Sequence, residues 1–253
     1  MSSSSSFIYI DSQDRLFGTA SNFVVNINDI NSNNEKDVSL NTLSINKSFY
    51  AVNGNNNTFL FTDIGTTGRV GTTGTPVLSQ GNYTSTQFCS IIDTKLNGLS
   101  IGTSYTSSYS IQTGKLAIAS ADNTNFTITS NTANYRILGM NVSSSVSSVN
   151  GVWTSPNVID LSGSRYIDVL VDLPIASVNT RNRNKNILAR VYINADRWGQ
   201  ILYLKENFSF CKLLTNRLNS IQFQLIDDLG YELNLNGTEW NATLEIKDTP
   251  RAL

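Results

Sequence analysis

The stretch that decides the fold is Asn219–Lys247, NSIQFQLIDDLGYELNLNGTEWNATLEIK. Between Ile221 and Leu225, apolar side chains alternate with glutamines. This period of two is typical of a strand with one buried and one solvated face. Asp227–Gly230 follows as a turn, because Asp and Gly tolerate the backbone angles that turns require.

A second alternation closes the stretch. Leu233 and Leu235 resume the period of two, and Asn236-Gly237 is a strong hairpin signal because both residue types tolerate a positive φ. Apolar residues then recur at every second position from Trp240 to Ile246, with polar residues between them. We therefore expect the chain to close on consecutive antiparallel strands with Trp240 in the core.

Outward from this stretch, the chain repeats short strand patterns separated by turn signals. Phe7–Ile10 is a continuous apolar run, which predicts a strand covered on both faces. Val38–Tyr50 alternates with one slip, which predicts a β-bulge. Gly65–Gly74 is rich in Gly and Thr and is expected to be a linker, and Lys115–Ala119 is expected to form a hairpin with the strand before it.

One helix is expected, within Gly81–Leu99. Thr84 and Gln87 have the spacing of a capping box, and apolar residues from Phe88 onward recur at helical spacing. Gly98 can end the helix. A single amphipathic helix in a β-rich chain is expected to bury its apolar face against a sheet.

Ten or more short strands and one helix favour an all-β fold, an antiparallel sandwich or barrel. The pattern alone leaves a jelly roll and an immunoglobulin-like sandwich open, although the Cys-Trp-Cys spacing of the latter is missing. At 253 residues the chain is expected to be one domain, or one domain carrying an insertion.

The composition excludes several classes of partner. Charged residues make up 15% of the chain and the formal net charge is −1, which gives no general attraction to nucleic acid or anionic membranes. Arg181, Arg183 and Lys185 could meet phosphate, but three cations on a polar loop are expected to be solvated. No segment approaches a membrane span, and Met1–Ser6 lacks the features of a secretory signal and is expected to be a flexible arm.

No set of side chains in the sequence predicts catalysis, a cofactor or a metal. Histidine is absent. Asp11 and Asp14 are expected to serve the turn that contains them, and Asp227–Gly230 lacks the rest of a kinase signature. A glycosidase would need two carboxylates facing each other across a cleft, and nothing pairs the available ones. Those available carboxylates are Asp160, Asp168, Asp172, Asp196 and Glu206.

Two cysteines, Cys89 and Cys211, lie far apart in sequence. They do not form a disulfide framework or a zinc-ligand spacing. We expect two small buried apolar side chains, and the sequence leaves a disulfide between them open.

Several segments, in order along most of the chain, resemble minor capsid proteins of virophages, polinton-like viruses and nucleocytoplasmic giant viruses. The opening resembles their strand, Ser-x-Asp-Arg, Gly-Thr, Ser-x-Phe pattern, and the helix region resembles their Gly-x-Tyr-Thr segment. Met140 stands where these proteins have Phe. The segments are FIYIDSQDRLFGTASNFVVNI (7–27), GNYTSTQFCSIIDTKLN (81–97), YSIQTGKLAIAS (109–120), YRILGM (135–140), ILARVYI (187–193) and FQLIDDLGYELNLNGTEWNATLEI (223–246).

The resemblance implies an antiparallel single jelly-roll sandwich with an inserted helix-plus-hairpin region. The implied division is an arm at 1–6, a jelly-roll domain at 7–62 plus 151–253, and an insertion at 63–150. It also implies a structural virion protein and not an enzyme: a penton protein, assembled in the infected cell without secretion, that forms a homopentamer at icosahedral vertices and contacts a double jelly-roll major capsid protein. No small-molecule substrate and no nucleic-acid partner are expected.

Three aromatic residues near late strands are candidates for a subunit interface, namely Trp198, Tyr203 and Phe208. The competing interpretation places at least one of them in the core. An alternative function is a glycan- or receptor-binding β-sandwich module of a virion spike, which would use exposed aromatic rings. Trp153 and Trp198 are the tryptophans expected in loops.

Overall fold

The structure is a computed structural model that describes residues 5–31, 35–66, 68–175, 177, 186–205, 210–215 and 217–249, with the backbone alone for 28–31 and 249. Within these residues the chain forms one 3₁₀ turn, Ser12–Asp14, one α-helix, α1 (Ser85–Asn97), and nineteen strands. The strands are β1 (Ser5–Asp11), β2 (Phe17–Thr19), β3 (Asn22–Asn31), β4 (Glu35–Asn46), β5 (Leu60–Asp63), β6 (Gly65–Thr66), β7 (Arg69–Val70), β8 (Thr73–Gly74), β9 (Tyr105–Ser110), β10 (Lys115–Ser120), β11 (Phe126–Thr129), β12 (Ser145–Ser147), β13 (Val152–Thr154), β14 (Tyr166–Val171), β15 (Ile187–Tyr192), β16 (Gln200–Leu204), β17 (Cys211–Leu213), β18 (Arg217–Ile226) and β19 (Trp240–Thr249).

The chain divides into two compact units. The sandwich unit comprises Met1–Phe49 with Ser164–Leu253, and the middle unit is Tyr50–Gly163. The division lies outside the expected boundaries of 63 and 150, because Phe59 and Phe61 at one end and Trp153 at the other are buried in the core of the middle unit. The assignment of separate domains stays a prediction.

The sandwich unit consists of two antiparallel sheets. The first has the order β1-β19-β4-β16, with β17 also paired to β4, and the second has the order β15-β14-β18-β3-β2. Consecutive strands therefore change sheet repeatedly, and the first and last strands of the unit, β1 and β19, are hydrogen-bonded neighbours. This connectivity, with strands that return from one sheet to the other, is that of a jelly roll and confirms the expected all-β fold.

The alternation in the deciding stretch builds the core of the sandwich unit. Ile221, Phe223 and Leu225 on β18 are fully buried, and the intervening glutamines face outward. Trp240 begins β19 at the same core, and its ring centroid lies 5.6 Å from Phe23 and 5.9 Å from Phe223. Such edge-to-face aromatic contacts add to the stabilisation from burial alone.

The expected hairpin at Asn236-Gly237 is wrong in its pairing, although its backbone is as expected. Asn236 and Gly237 have φ of 50° and 80°. However, β18 pairs with β3 and β14, whereas β19 pairs with β1 and β4. The turn therefore lies in a crossover between the two sheets. Leu233 and Leu235 precede it outside any strand, and they are buried because the crossover covers the core.

The slip in the alternation of β4 is a bulge, as predicted. Thr243 of β19 pairs with Thr42, and the next residue of β19, Leu244, pairs with Leu40. Asn41 is thus the extra residue on β4. The bulge keeps Leu40 and Leu43 both buried although they are three positions apart.

The middle unit has its own core around α1 and two small sheets. Those sheets have the orders β13-β10-β9 and β12-β11-β5-β8. The predicted capping box is present, with the Thr84 hydroxyl accepting from the Gln87 N–H and the Gln87 side chain accepting from the Thr84 N–H. The helix ends at Gly98, and its buried face consists of Phe88, Cys89, Ile92 and Leu96.

The Gly/Thr segment, expected to be a linker, is instead folded into the middle unit. Its described part forms the β6–β7 ladder, and β8 pairs with β5. Gly65 has a φ of 84°, and a side chain there would lie 2.5 Å from the Arg69 carbonyl oxygen. The glycine therefore permits a tight return of the chain that a longer side chain would block.

This return brings Arg69 to a buried polar cluster. Its guanidinium lies 2.9 Å and 3.2 Å from the two carboxylate oxygens of Asp63, whose side chain is fully buried, and 3.1 Å from Asp122. Tyr105 donates its hydroxyl hydrogen to Asp63. Burial, followed by the hydrogen bond to Asp63, raises the pKa of Tyr105. The cluster joins four residues within the middle unit.

Both cysteines are free thiols. Cys89 is buried on α1, as expected, and Cys211 is half-buried at the edge of the sandwich core. Burial raises the pKa of both thiols.

Candidate interaction surface

Three of the five carboxylates considered for catalysis, Asp160, Asp168 and Asp172, accept hydrogen bonds within the described residues, and Asp196 accepts one through its backbone carbonyl, from Gly199. Asp168 is fully buried and lies 2.7 Å and 2.9 Å from the guanidinium of Arg190. Asp172 accepts the backbone N–H of Gln222 at 2.9 Å, and Asp160 accepts from Ser162 in a turn. Glu206 lies outside the described residues.

The Asp227–Gly230 segment is a turn, as predicted. The carboxylate of Asp227 accepts the backbone N–H groups of Leu229 and Tyr231 at 2.9 Å and 2.8 Å. Burial raises the pKa of Asp227, and these backbone hydrogen bonds oppose that shift. Asp11 likewise accepts the N–H of Gln13 and caps the 3₁₀ turn. These carboxylates organise the backbone locally.

The three predicted interface residues lie in different environments. Trp198 is 63% exposed and has a φ of 64°. Tyr203 is half-buried and packs against the sandwich core, because it alternates with the exposed Leu202 and Leu204 on β16. Phe208 lies outside the described residues. Their role at an interface stays a prediction.

Trp153, expected in a loop, is wholly buried in the middle unit. It lies on β13, where it pairs with Ile118 of β10. The prediction failed because β13 has only three residues, too few for a visible alternation. Trp153 is therefore not available to stack on a ligand, and Trp198 is the exposed tryptophan in the described part of the chain.

Sequence reasoning missed the outer face of the first sheet. There, Leu202 and Leu204 on β16 are 59% and 74% exposed, and Tyr9 on β1 is 82% exposed. Hydroxyl and amide side chains fill the two strands between them. Strand pairing places the side chains in two rows, which are Tyr9, Thr243, Thr42, Leu204 and Asp11, Asn241, Ser44, Leu202.

The two rows contain one charged side chain, Asp11, and have apolar groups at both margins. Charged side chains lie farther along the same face, where Lys205 pairs with Glu245 and Lys212 pairs with Glu35. The two margins lie three strand spacings apart, about 14 Å. The region that these two rows form has few charges and exposed Tyr and Leu side chains, which is the composition of a protein–protein contact.

Strand β1 departs from the sequence prediction. The continuous run Phe7–Ile10 was expected to be covered on both faces, but Phe7 is 50% exposed and Tyr9 82% exposed. Ile8 and Ile10 face the core, so β1 has one buried side only. The reason is its position: β1 is the edge strand of the first sheet and pairs with β19 alone among the described residues. Ser5 and Ser6, expected in a flexible arm, belong to this strand.

A second aromatic group lies at the edge of the second sheet. The Arg190 guanidinium stacks over the Tyr166 ring at 3.8 Å, and Tyr192 packs edge-on against Tyr166 at 6.2 Å. Tyr192 is 69% exposed. The hydrogen bonds that Arg190 donates to Asp168 are the main cause that raises the pKa of Arg190. Tyr and Arg side chains of this kind are enriched where proteins bind each other.

The described residues contain no group of three or more acidic or cysteine side chains placed to hold a metal ion. In the same residues, no helix has the length and apolar character needed to cross a membrane.

No family model and no curated protein matches the chain. A comparison with solved structures finds the mavirus penton protein, with a TM-score of 0.54 over 98% of this chain and 100% of that one. The two sequences are 12% identical. At this identity the similarity concerns the fold, and it confirms at that level the resemblance to penton proteins expected from the sequence segments.

Proposed function

We propose that this chain is a structural protein of a virus capsid, a penton protein that assembles as a homopentamer at the icosahedral vertices. The observation that carries the proposal is the structural similarity to the mavirus penton protein, which extends over both chains almost completely. It therefore includes the middle unit as well as the sandwich. In this proposal the chain acts in the virion and has a structural role instead of a catalytic one.

The surface of the sandwich unit supports the same proposal. Its exposed Phe and Tyr side chains lie on edge strands of the two sheets, Leu202 and Leu204 lie on the outer face of the first sheet, and Trp198 lies in the turn before β16. Five copies in a ring make heterologous contacts, in which one side of a subunit meets a different side of the next. The double jelly-roll major capsid protein is the second partner that we propose, and Trp198, Tyr203 and Phe208 remain candidates for either contact.

The test is the mass of the purified chain by light scattering after size exclusion, at several salt concentrations. We expect a discrete species of five times 27.8 kDa. A chain that is monomeric alone should form this species when mixed with the major capsid protein. A stable trimer would contradict the proposal and favour the glycan- or receptor-binding module, which a glycan array would then test.

A further inference from the structure

Within the described residues, the sandwich unit has an open side between the free edges of its two sheets. At this side β1 pairs only with β19, and β2 covers β3 only from Asn22 to Val24. Between them runs a groove of about 420 Å³, lined by Phe7–Asp11, Asp14 and Val25–Ile27. We call it the β1 groove. Its floor reaches the core, because Ile10 and Val25 are each 4% exposed.

The opposite side of the sandwich unit is closed. There Ile175 forms a bridge to Leu213 of β17, and Leu214 donates its N–H to the Pro174 carbonyl at 3.0 Å. These contacts join the two sheets. The chain thus joins its two sheets on one side of the sandwich unit and leaves the β1 groove open on the other side.

Strand β1 lacks the usual protection of an edge strand. Natural edge strands are short, bulged, or carry Lys or Pro. β1 has seven residues, pairs with β19 without a register shift, and contains neither Lys nor Pro. By contrast β2 has three residues, and the pairing of β15 with β14 is interrupted by a bulge. An unprotected edge with exposed Phe7 and Tyr9 can accept an extended segment by strand addition.

The groove also carries a charge. Asp11 and Asp14 line it and no Lys or Arg does. Among the described residues, no cation lies within ion-pair distance of either carboxylate. A cationic side chain can therefore make two kinds of favourable contact in this groove, one with the carboxylates and one with the faces of the Phe and Tyr rings.

The chain itself contains a matching segment. Thr180–Asn186, TRNRNKN, holds Arg181, Arg183 and Lys185 with asparagines between them, and no other five-residue window of the sequence holds three cations. In an extended segment, alternate residues share one side. The same spacing separates Phe7, Tyr9 and Asp11 on the outer side of β1.

The position of this segment favours a second copy over the same copy. Asn186 donates its N–H to the Ser177 carbonyl at 3.3 Å, which holds the two ends together beside β15. β15 and β3 lie three strand spacings apart, about 14 Å, in the sheet order β15-β14-β18-β3-β2. Residues 178–185 lie outside the described part of the chain, and the residues that flank them, Ser177 and Asn186, lie on the opposite side of the sandwich unit from the β1 groove.

We infer that the β1 groove binds the Thr180–Asn186 segment of a second copy of this chain. The inference rests on the proposed ring, in which one side of each subunit meets the opposite side of the next. The extended segment adds to the free edge of β1. Its cations lie against Phe7, Tyr9 and the two aspartates.

Charge reversal on both sides tests this contact. Variant one carries R181E, R183E and K185E, and variant two carries D11K and D14K. Each should weaken formation of the five-subunit species by roughly tenfold or more, because like charges then face each other. The two sets combined in one chain should restore the species. The matched control is N182Q with N184Q, which changes the same segment without changing its charge and should leave the mass unchanged.

Thermal unfolding of each variant distinguishes the loss of the contact between subunits from a failure of the chain to fold. Variants that melt like the original chain but stay monomeric, with rescue in the combined variant, support the inference. A five-subunit species in either single variant set, or folded chains without rescue, would overturn it and leave the proposed function standing. If the unchanged chain forms no five-subunit species, alone or with the major capsid protein, both the inference and the proposed function are contradicted.

Discussion

The two units differ in what they show to solvent. The large exposed apolar side chains of the sandwich unit are aromatic residues and leucines, for example Tyr9, Phe17 and Trp198. Those of the middle unit are Val and Ile with a single Leu, and none is aromatic. Both units have a buried aromatic core, so the difference is not one of composition inside. For the proposed ring we therefore expect the sandwich unit to carry the contacts with other subunits, since aromatic side chains are enriched at protein–protein interfaces.

The interiors differ as well. The sandwich core is built from strand alternation, with apolar faces of two sheets meeting. The middle unit adds a polar cluster, Asp63 with Arg69, Tyr105 and Asp122. A buried ion pair is costly to assemble and strongly destabilising to break on one side. The sandwich unit contains such a pair too, Asp168 with Arg190, but Arg190 is 35% exposed whereas Arg69 is 16% exposed, so the pair in the middle unit is the more enclosed one.

The largest effects are expected from the two buried tryptophans, one in each unit. Trp240→Ala and Trp153→Ala should each lower the free energy of unfolding by about 3–5 kcal/mol, because both side chains are at most 2% exposed. Denaturant titration followed by circular dichroism measures this loss.

The corresponding Phe variants sharpen the comparison. The indole N–H of Trp240 donates to the Ala20 carbonyl at 2.6 Å, whereas that of Trp153 has no partner in the described part of the chain. W240F should therefore cost about 1 kcal/mol more than W153F. Equal losses would show that the hydrogen bond of Trp240 adds nothing to stability.

The next largest effect compares two buried aspartates paired with arginine. Asp63→Asn in the middle unit should lower the free energy of unfolding by about 3 kcal/mol, since it leaves the half-enclosed Arg69 and the buried Tyr105 hydroxyl short of an acceptor. Asp168→Asn in the sandwich unit should cost less, because Arg190 is 35% exposed and can reach water. Urea midpoints measured at pH 7 test the order, and a larger loss for D168N would contradict it.

Local features of the sequence predicted local structure well. The alternation from Ile221 to Leu225 forms a strand, and the Thr84–Gln87 spacing forms the capping box. Both depend on residues within a few positions of each other. The alternation with a period of two shows which side of a strand is apolar, whatever position the strand takes in the fold.

Long-range pairing could not be predicted in the same way. Asn236-Gly237 sets its own φ angles but not the partners of β18 and β19, which lie in different sheets. The Asp63 cluster unites residues up to 59 positions apart, from Asp63 to Asp122, and neither pattern nor spacing indicates it. Phe7–Ile10 was predicted to be covered on both faces, and the single chain covers one of them. A second copy on the β1 groove would supply the missing cover.

A smaller effect is expected from pH, with opposite signs in the two units. The hydrogen bond from the Ser120 hydroxyl, aided by Thr124 and Arg69, lowers the pKa of Asp122. The ionised Asp122 carboxylate therefore contributes to stability above the unfolded pKa of about 3.9, and this contribution is lost as the pH falls toward the lower folded pKa. Burial raises the pKa of Asp227, so its contribution is present below the unfolded pKa and is lost as the pH rises through the folded value.

Asn variants at Asp122 and Asp227 test these two opposite pH dependences of stability. The destabilisation by Asp122→Asn should be largest at pH 7 and shrink toward pH 3. The destabilisation by Asp227→Asn should be larger at pH 3 than at pH 7, because the amide oxygen can still accept from Leu229 and Tyr231 without the burial of a charge. Denaturation midpoints at the two pH values measure both, and a common sign would contradict the assigned causes.

The smallest effect on stability is expected at the surface, where the comparison between units concerns assembly. Leu202→Ser with Leu204→Ser on β16 should change the free energy of unfolding by no more than about 0.5 kcal/mol per site, because both side chains are largely exposed. In the proposed ring or its contact with the major capsid protein these side chains are covered, so the double variant should assemble less.

The matched control in the middle unit is Val70→Ser with Ile111→Ser, where the exposed fractions are 88% and 85%. It removes similar apolar surface and should assemble like the original chain. Light scattering of the chain alone and mixed with the major capsid protein distinguishes the two pairs. Impaired assembly from the Val70 and Ile111 pair alone would reverse the comparison, and it would place the contacts on the middle unit.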